Sequence, residues 1–201
     1  MRQYILIIIS LFTVSCKTET VKEQFPIPNK AEIVTIVETI ISENKIPVKK
    51  NSLQYHMPLM SDLEKLHVYL ADTCIDEMGP PQMNELSMRR LLALKVKDRK
   101  FFSRGDSTFF LFQNDTLKTI DLDKELEVNY YLTTSKEQNT NEEKFTTYWS
   151  MSVPIFSKDL KKAYVVVNEN CYGLCGSGGF YLLEKINNKW TIVDYQMLWI
   201  S

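Results

Sequence analysis

What is scarce in this chain excludes more chemistry than what is abundant. Of 201 residues only two are histidine, His56 and His67. Acid–base and nucleophilic catalysis draw on imidazole more than on other side chains, so few catalytic constellations can be assembled. Neither charge is in excess, with 24 Lys and Arg against 25 Asp and Glu. A chain balanced in this way lacks the basic field of a nucleic-acid binder, so no nucleic-acid partner is expected. Glycine is rare too, six residues in all, and four of them fall between Cys171 and Gly179. After the first fifteen residues there is no second apolar span and no internal repeat.

Those first residues are distinctive. Met1-Arg2-Gln3 precedes an apolar run from Tyr4 to Val14, too short to span a bilayer as a mature helix, and the run ends at Ser15-Cys16. The pattern predicts a secretory signal over residues 1–15. Thr13-Val14-Ser15-Cys16 resembles a lipobox, and the resemblance implies acylation of Cys16 as the new N-terminus, with ordinary secretory cleavage nearby as the alternative. Each buried methylene of an acyl chain contributes about 0.8 kcal/mol, so several chains on one residue hold a domain stably at a membrane. Residues 16–28 are polar and then proline-stiffened, which predicts a lipidated tether. Residues 29–201 are then a single α+β domain, and the expected location is the bacterial cell envelope, on its periplasmic or cell-surface face.

The last fifty residues organise the fold. Ala163-Tyr164-Val165-Val166-Val167, Phe180 to Ile186 and Trp190 to Tyr195 are rich in β-branched and aromatic residues, and Asn187-Asn188 suits the positive φ of a tight hairpin. They predict a three-stranded antiparallel meander over residues 163–200. The glycines before Phe180 predict a backbone that either visits positive φ or passes close to a neighbour. They do not make a phosphate loop or a nucleophile elbow, because a strand and not a helix follows. Cys171 and Cys175, four apart, suit a small disulfide loop, a pair of thiols or half of a metal site; Cys74 is a further possible partner. No complete metal cluster is visible, and no cofactor is expected.

Upstream, Asn29 and Glu32 cap a helix whose apolar residues run from Ile33 to Ile41, and Pro47 ends it. Ser61-Asp62-Leu63-Glu64 has the form of a capping box, predicting a second helix that carries His67 and Cys74 on one apolar face. Asp76-Glu77 before Gly79-Pro80-Pro81 predicts a solvated break. Gln82 to Leu92 predicts helix running into strand. Phe101-Phe102 and Phe109 to Phe112 flank Arg104-Gly105-Asp106, predicting an aromatic hairpin with that triplet as its turn and not as an adhesion ligand. Asp121 to Val128 predicts a short helix, Tyr130-Tyr131-Leu132 a strand, Thr133 to Lys144 a polar loop, and Phe145 to Phe156 renewed strand.

Ser152-Val153-Pro154-Ile155-Phe156, Lys162-Ala163-Tyr164, Leu174-Cys175-Gly176-Ser177-Gly178, Lys189-Trp190 and Trp199-Ile200-Ser201 together resemble the C-terminal signature of a group of uncharacterised lipoproteins of Gram-negative bacteria. The resemblance implies a compartment and an architecture, with no activity attached. The order of helices before sheet also resembles the nuclear-transport-factor-like cone. The expectation is therefore a lipid-anchored envelope protein that binds an envelope protein or glycan, or serves structurally. The alternative is a small hydrolase or thiol enzyme using Ser177, Cys171 or Cys175 with His56 or His67.

Overall fold

The computed structural model describes residues 24–50, 57–70, 84–140, 147–171 and 175–201. The signal, Cys16, His56, Cys74 and most of the tether lie outside the described residues. In chain order the elements are α1 (Lys30–Glu43), β1 (Leu59–Met60), β2 (Asp62–Leu63), β3 (His67–Tyr69), β4 (Glu85–Ser87), α2 (Met88–Ala93), β5 (Lys95–Val96), β6 (Arg99–Lys100), α3 (Ser107–Thr116), β7 (Ile120–Asp121), α4 (Asp123–Leu126), β8 (Leu132–Thr133), α5 (Ser135–Thr140), β9 (Thr147–Met151), β10 (Ile155–Phe156), β11 (Lys162–Cys171), β12 (Ser177–Ile186) and β13 (Lys189–Ile200). The fold is α+β around a mostly antiparallel sheet.

That sheet has the order β13-β12-β11-β9-β1-β8, with β10 also beside β11. The meander of β11, β12 and β13 is antiparallel, and β1 runs parallel to β8 and β9. Asn187 and Asn188 join β12 to β13 with φ of 50° and 61°, the left-handed pair that a two-residue hairpin requires. Where β9 gives way to β10, the Ser152 hydroxyl accepts the Val166 N–H at 2.9 Å and keeps the ladder satisfied.

Alternation along the strands sends residues to both faces, and both are covered. On one face Ala163, Val165, Val167, Tyr181, Leu183 and Trp190 form a core with Ile33, Ile36, Val37, Ile40 and Ile41 of α1. α1 supplies them because its branched residues recur at helical spacing behind Asn29, whose side chain accepts the Glu32 N–H at 2.8 Å. On the other face Tyr164, Phe180 and Leu182 pack with Val68, Leu91, Phe101, Phe102 and Phe110.

α3 joins the two cores, giving Phe109 to one and Phe110 to the other. Its next turn carries two amides that act as strand surrogates. Gln113, buried, donates Nε2 to the Phe156 carbonyl and accepts the Phe156 N–H, both at 2.9 Å. Asn114 does the same for Val68, at 2.7 and 3.0 Å. Each amide pairs a strand edge that, among the described residues, has no neighbouring strand on that side.

Several sequence expectations are corrected. Residues 59–69 hold three short strands and not a helix: β1 pairs with β8 and β9, β2 with β7 and β3 with β4, and the Asp62 carboxylate accepts from Ser135 instead of capping its own segment. His67 is consequently exposed on β3 and not on an apolar helix face. The aromatic hairpin is a helix, α3. Asp106 accepts from the Ser103 N–H and hydroxyl at 2.7 and 2.8 Å, a capping box that starts a helix where a turn was expected. The tight turn in this region is Lys97-Asp98, with φ of 48° and 63°. Residues 84–96 run strand, helix, strand. Part of the expected polar loop is α5, begun by a reciprocal Thr134–Glu137 box that apolar periodicity cannot reveal. Phe25 and Pro28, in the expected tether, are packed on the fold, with Phe25 against Phe109 and Phe112 at 5.4 and 5.0 Å between rings.

Candidate functional site

The meander has two ends. At one, the β12–β13 turn, the N-terminus of α1 and the residues before it converge. Glu32 accepts from the Trp190 indole N–H at 3.1 Å and from Lys185. At the other, β11 ends at Cys171, β12 begins at Ser177 and β13 finishes. β11 has ten residues, so at ~3.3 Å per residue the ends are about 30 Å apart.

This far end carries the glycines. Gly176, Gly178 and Gly179 do not use positive φ; they are needed for close approach. A Cβ on Gly178 would lie 2.2 Å from Trp199 Nε1, and one on Gly179 2.6 Å from Tyr195 Cε2. The two aromatic side chains therefore lie across β12 on opposite faces of the sheet. Gly176 donates its N–H to the Ser201 hydroxyl at 3.1 Å, and Ser201 returns its own N–H to the Gly176 carbonyl at 2.9 Å. Cys171 and Cys175 sit at disulfide distance, with Cα atoms 5.8 Å apart. Introducing alanine at Gly178 is expected to displace the indole, at a cost of about 1–3 kcal/mol, and the near-ultraviolet circular dichroism of tryptophan should change with it. An unchanged spectrum would contradict this account of the glycines.

The outer half of β13 is apolar and open to solvent. Met197 is 54% exposed, Leu198 52% and Ile200 70%, with Tyr195 and Trp199 partly exposed beside them. From Tyr195 to Ile200 there is no charged residue. The Tyr181 ring lies tilted against Tyr195 with centroids 4.7 Å apart, and its hydroxyl pKa is pushed up to about 12, first by burial and then by Tyr195, so it adds no charge at neutral pH. Among the described residues β13 pairs with β12 alone, and its register slips at Gly178/Gly179 and at Leu182/Leu183. Proteins ordinarily protect such an edge with charge; here it is left apolar.

The catalytic alternative is not assembled among the described residues. Ser177 gives its hydroxyl to Glu169 at 3.4 Å at the far end, whereas His67 lies on β3, in a separate small sheet with β4. Among the described residues no group of three His, Cys, Asp or Glu is placed to hold a metal ion, and no helix is long and apolar enough to cross a membrane. Arg104-Gly105-Asp106 is not an exposed ligand, since the Asp106 carboxylate is buried and also accepts the Lys158 N–H at 2.8 Å. An open groove of about 500 Å³ beside it is lined by Ser103, Asp106, Ser157, Lys158, Asp159 and Lys162. There Ser157 donates to Asp159 at 2.6 Å and Lys162 Nζ donates to the Phe101 carbonyl at 2.6 Å, so the groove's polar groups are largely engaged with one another.

The apolar strand end was legible as strand, but its exposure was not, because a β-rich run reads the same whether or not something covers it. The residues carrying the lipoprotein-like signature take structural places: Ser152 in the ladder, Phe156 and Trp190 in ring contact at 6.1 Å, and Trp199 and Ser201 closing over Gly176 and Gly178. No family model matches the chain, and no curated protein or solved structure matches it significantly.

Proposed function

We propose that the protein is a lipid-anchored component of the bacterial cell envelope that acts as a binding module, presenting the free end of β13 to an envelope partner. The observation that carries the binding half is the exposed, uncharged strand end Tyr195–Ile200. A partner protein with an extended apolar segment suits it, by adding a strand to the open edge and covering Met197, Leu198 and Ile200. The anchoring half rests on the lipobox-like residues ending at Cys16 and on the resemblance to Gram-negative lipoproteins. Both sheet faces are filled, and the proposed role needs no enclosed pocket of the kind the cone-like resemblance implied.

A photo-crosslinking residue at Leu198, introduced in living cells, should give a discrete adduct that disappears in an Ile200→Asp background. The same probe at Lys45, exposed just past the C-terminus of α1, should give none. Adducts absent from both positions, or identical at both, would refute the binding surface. Separately, mass spectrometry should find an acylated Cys16 at the N-terminus, and an unmodified Cys16 would remove the anchor.

A further inference from the structure

The near-neutral total hides a segregation of charge. Residues 89–104 hold seven Lys and Arg (Arg89, Arg90, Lys95, Lys97, Arg99, Lys100, Arg104) and one acidic residue, Asp98. Subtracting these from 24 and 25 leaves 17 basic against 24 acidic residues in the rest of the chain. All seven basic residues are exposed, on α2, the β5–β6 hairpin and the turn before α3.

Two observations give this cluster a direction. The first is position. Lys162 bonds to Phe101, next to the hairpin, and Lys158, whose N–H is held by Asp106, places its ammonium 5.6 Å from the Phe25 ring. The basic unit therefore adjoins Phe25, which among the described packed residues lies nearest in sequence to Cys16, at the opposite end of the meander from Trp199. The second is a cost. Lys95 and Lys100 are directly opposed across the hairpin, and like charges so placed destabilise a two-stranded ladder. Such a pairing is explained when a negative surface lies against it.

We propose that this face is a second, electrostatic contact with the anionic phospholipid headgroups of the membrane that holds the lipid. It rests on the anchored reading above and deepens it. One acyl signal and one basic patch together orient the domain, so that β13 points away from the bilayer toward its partner. Near an anionic surface each Lys or Arg contributes about fivefold in partition, the equivalent of about 1 kcal/mol.

The test compares partition of the full chain onto phosphatidylcholine vesicles with and without about one third phosphatidylglycerol. The apolar leader contributes alike to both, so their ratio isolates charge. With Lys95→Gln, Arg99→Gln and Lys100→Gln together, the ratio should fall roughly a hundredfold. Folding stability in urea should hold or rise, because the opposed lysines are gone. Neutralising Lys45, Lys49 and Lys118 instead, an equal change of net charge elsewhere, should move the ratio by about twofold at most. About 0.5 M salt should abolish the preference. A wild-type ratio near one overturns the proposal, as does an equal loss in the control variant. So does an oligonucleotide that displaces the protein from the vesicles at matched charge, since it would assign the patch to nucleic acid. A bare Cys16 would defeat the anchor while leaving this ratio intact, so the two failures are separable.

Discussion

Replacing Gln113 with leucine is expected to cost about 3–5 kcal/mol and to lower the urea midpoint with little change of slope. Leucine fits the volume, and the loss comes from the backbone it abandons. β10 has β11 on one side only, and its other edge is paired by the Gln113 amide, which donates to Phe156 O and accepts from Phe156 N. Phe156 is fully buried, so no water replaces those bonds. Each buried backbone group left unpaired costs about 1–3 kcal/mol, and two are orphaned together. Gln113→Glu should be no rescue, since a carboxylate keeps the acceptor, loses the donor and must be buried beside a carbonyl. A loss below about 1 kcal/mol for Gln113→Leu would show that the edge finds another partner, and the surrogate-strand account would fail.

Trp190→Ala is expected to be as severe, about 3–5 kcal/mol, for a different reason. The indole is one of the largest side chains buried in the protein. It sits at the junction of α1, β12 and β13, meeting Phe156 edge-on and lying under Lys185 at 5.3 Å. Removing it opens a cavity and takes away the N–H donor of Glu32, leaving that carboxylate to Lys185 alone. Because Glu32 lies in the first turn of α1, the helix should loosen at its start before the sheet does. Hydrogen exchange should therefore rise first at the amides of Glu32 to Ile36. Trp190→Phe, which keeps most of the volume but not the donor, should recover more than half of the loss. Uniform exchange across α1 and the meander would contradict the ordering.

Different parts of the molecule were legible to different degrees. α1 and the meander could be read directly, because local spacing and tertiary burial agree there. In α1 the apolar stripe and the Asn29 cap coincide, and in β12 and β13 the aromatic and β-branched runs are strands with Asn-Asn between them. Residues 59–69 and 101–116 misled because a capping pattern marks a possible helix start, and only distant partners decide which start is used. Asp62 spends its acceptors on Ser135, while Ser103 and Asp106 bond to each other. The basic face was missed because summing charge over the whole chain averages away its position.

The chain's own residues determined α1 with its Asn29 cap, the hairpin with left-handed asparagines and the crowding of glycine before Phe180, since each depends on neighbours a few positions away. Tertiary structure alone decided that Gln113 and Asn114 complete two strand edges, that the glycines serve Trp199 and Tyr195, and that apolar and basic surfaces lie at opposite ends of the meander. Those facts depend on contacts between residues tens of positions apart. Such contacts follow from how a whole chain closes on its cores and not from the periodicity of any one segment.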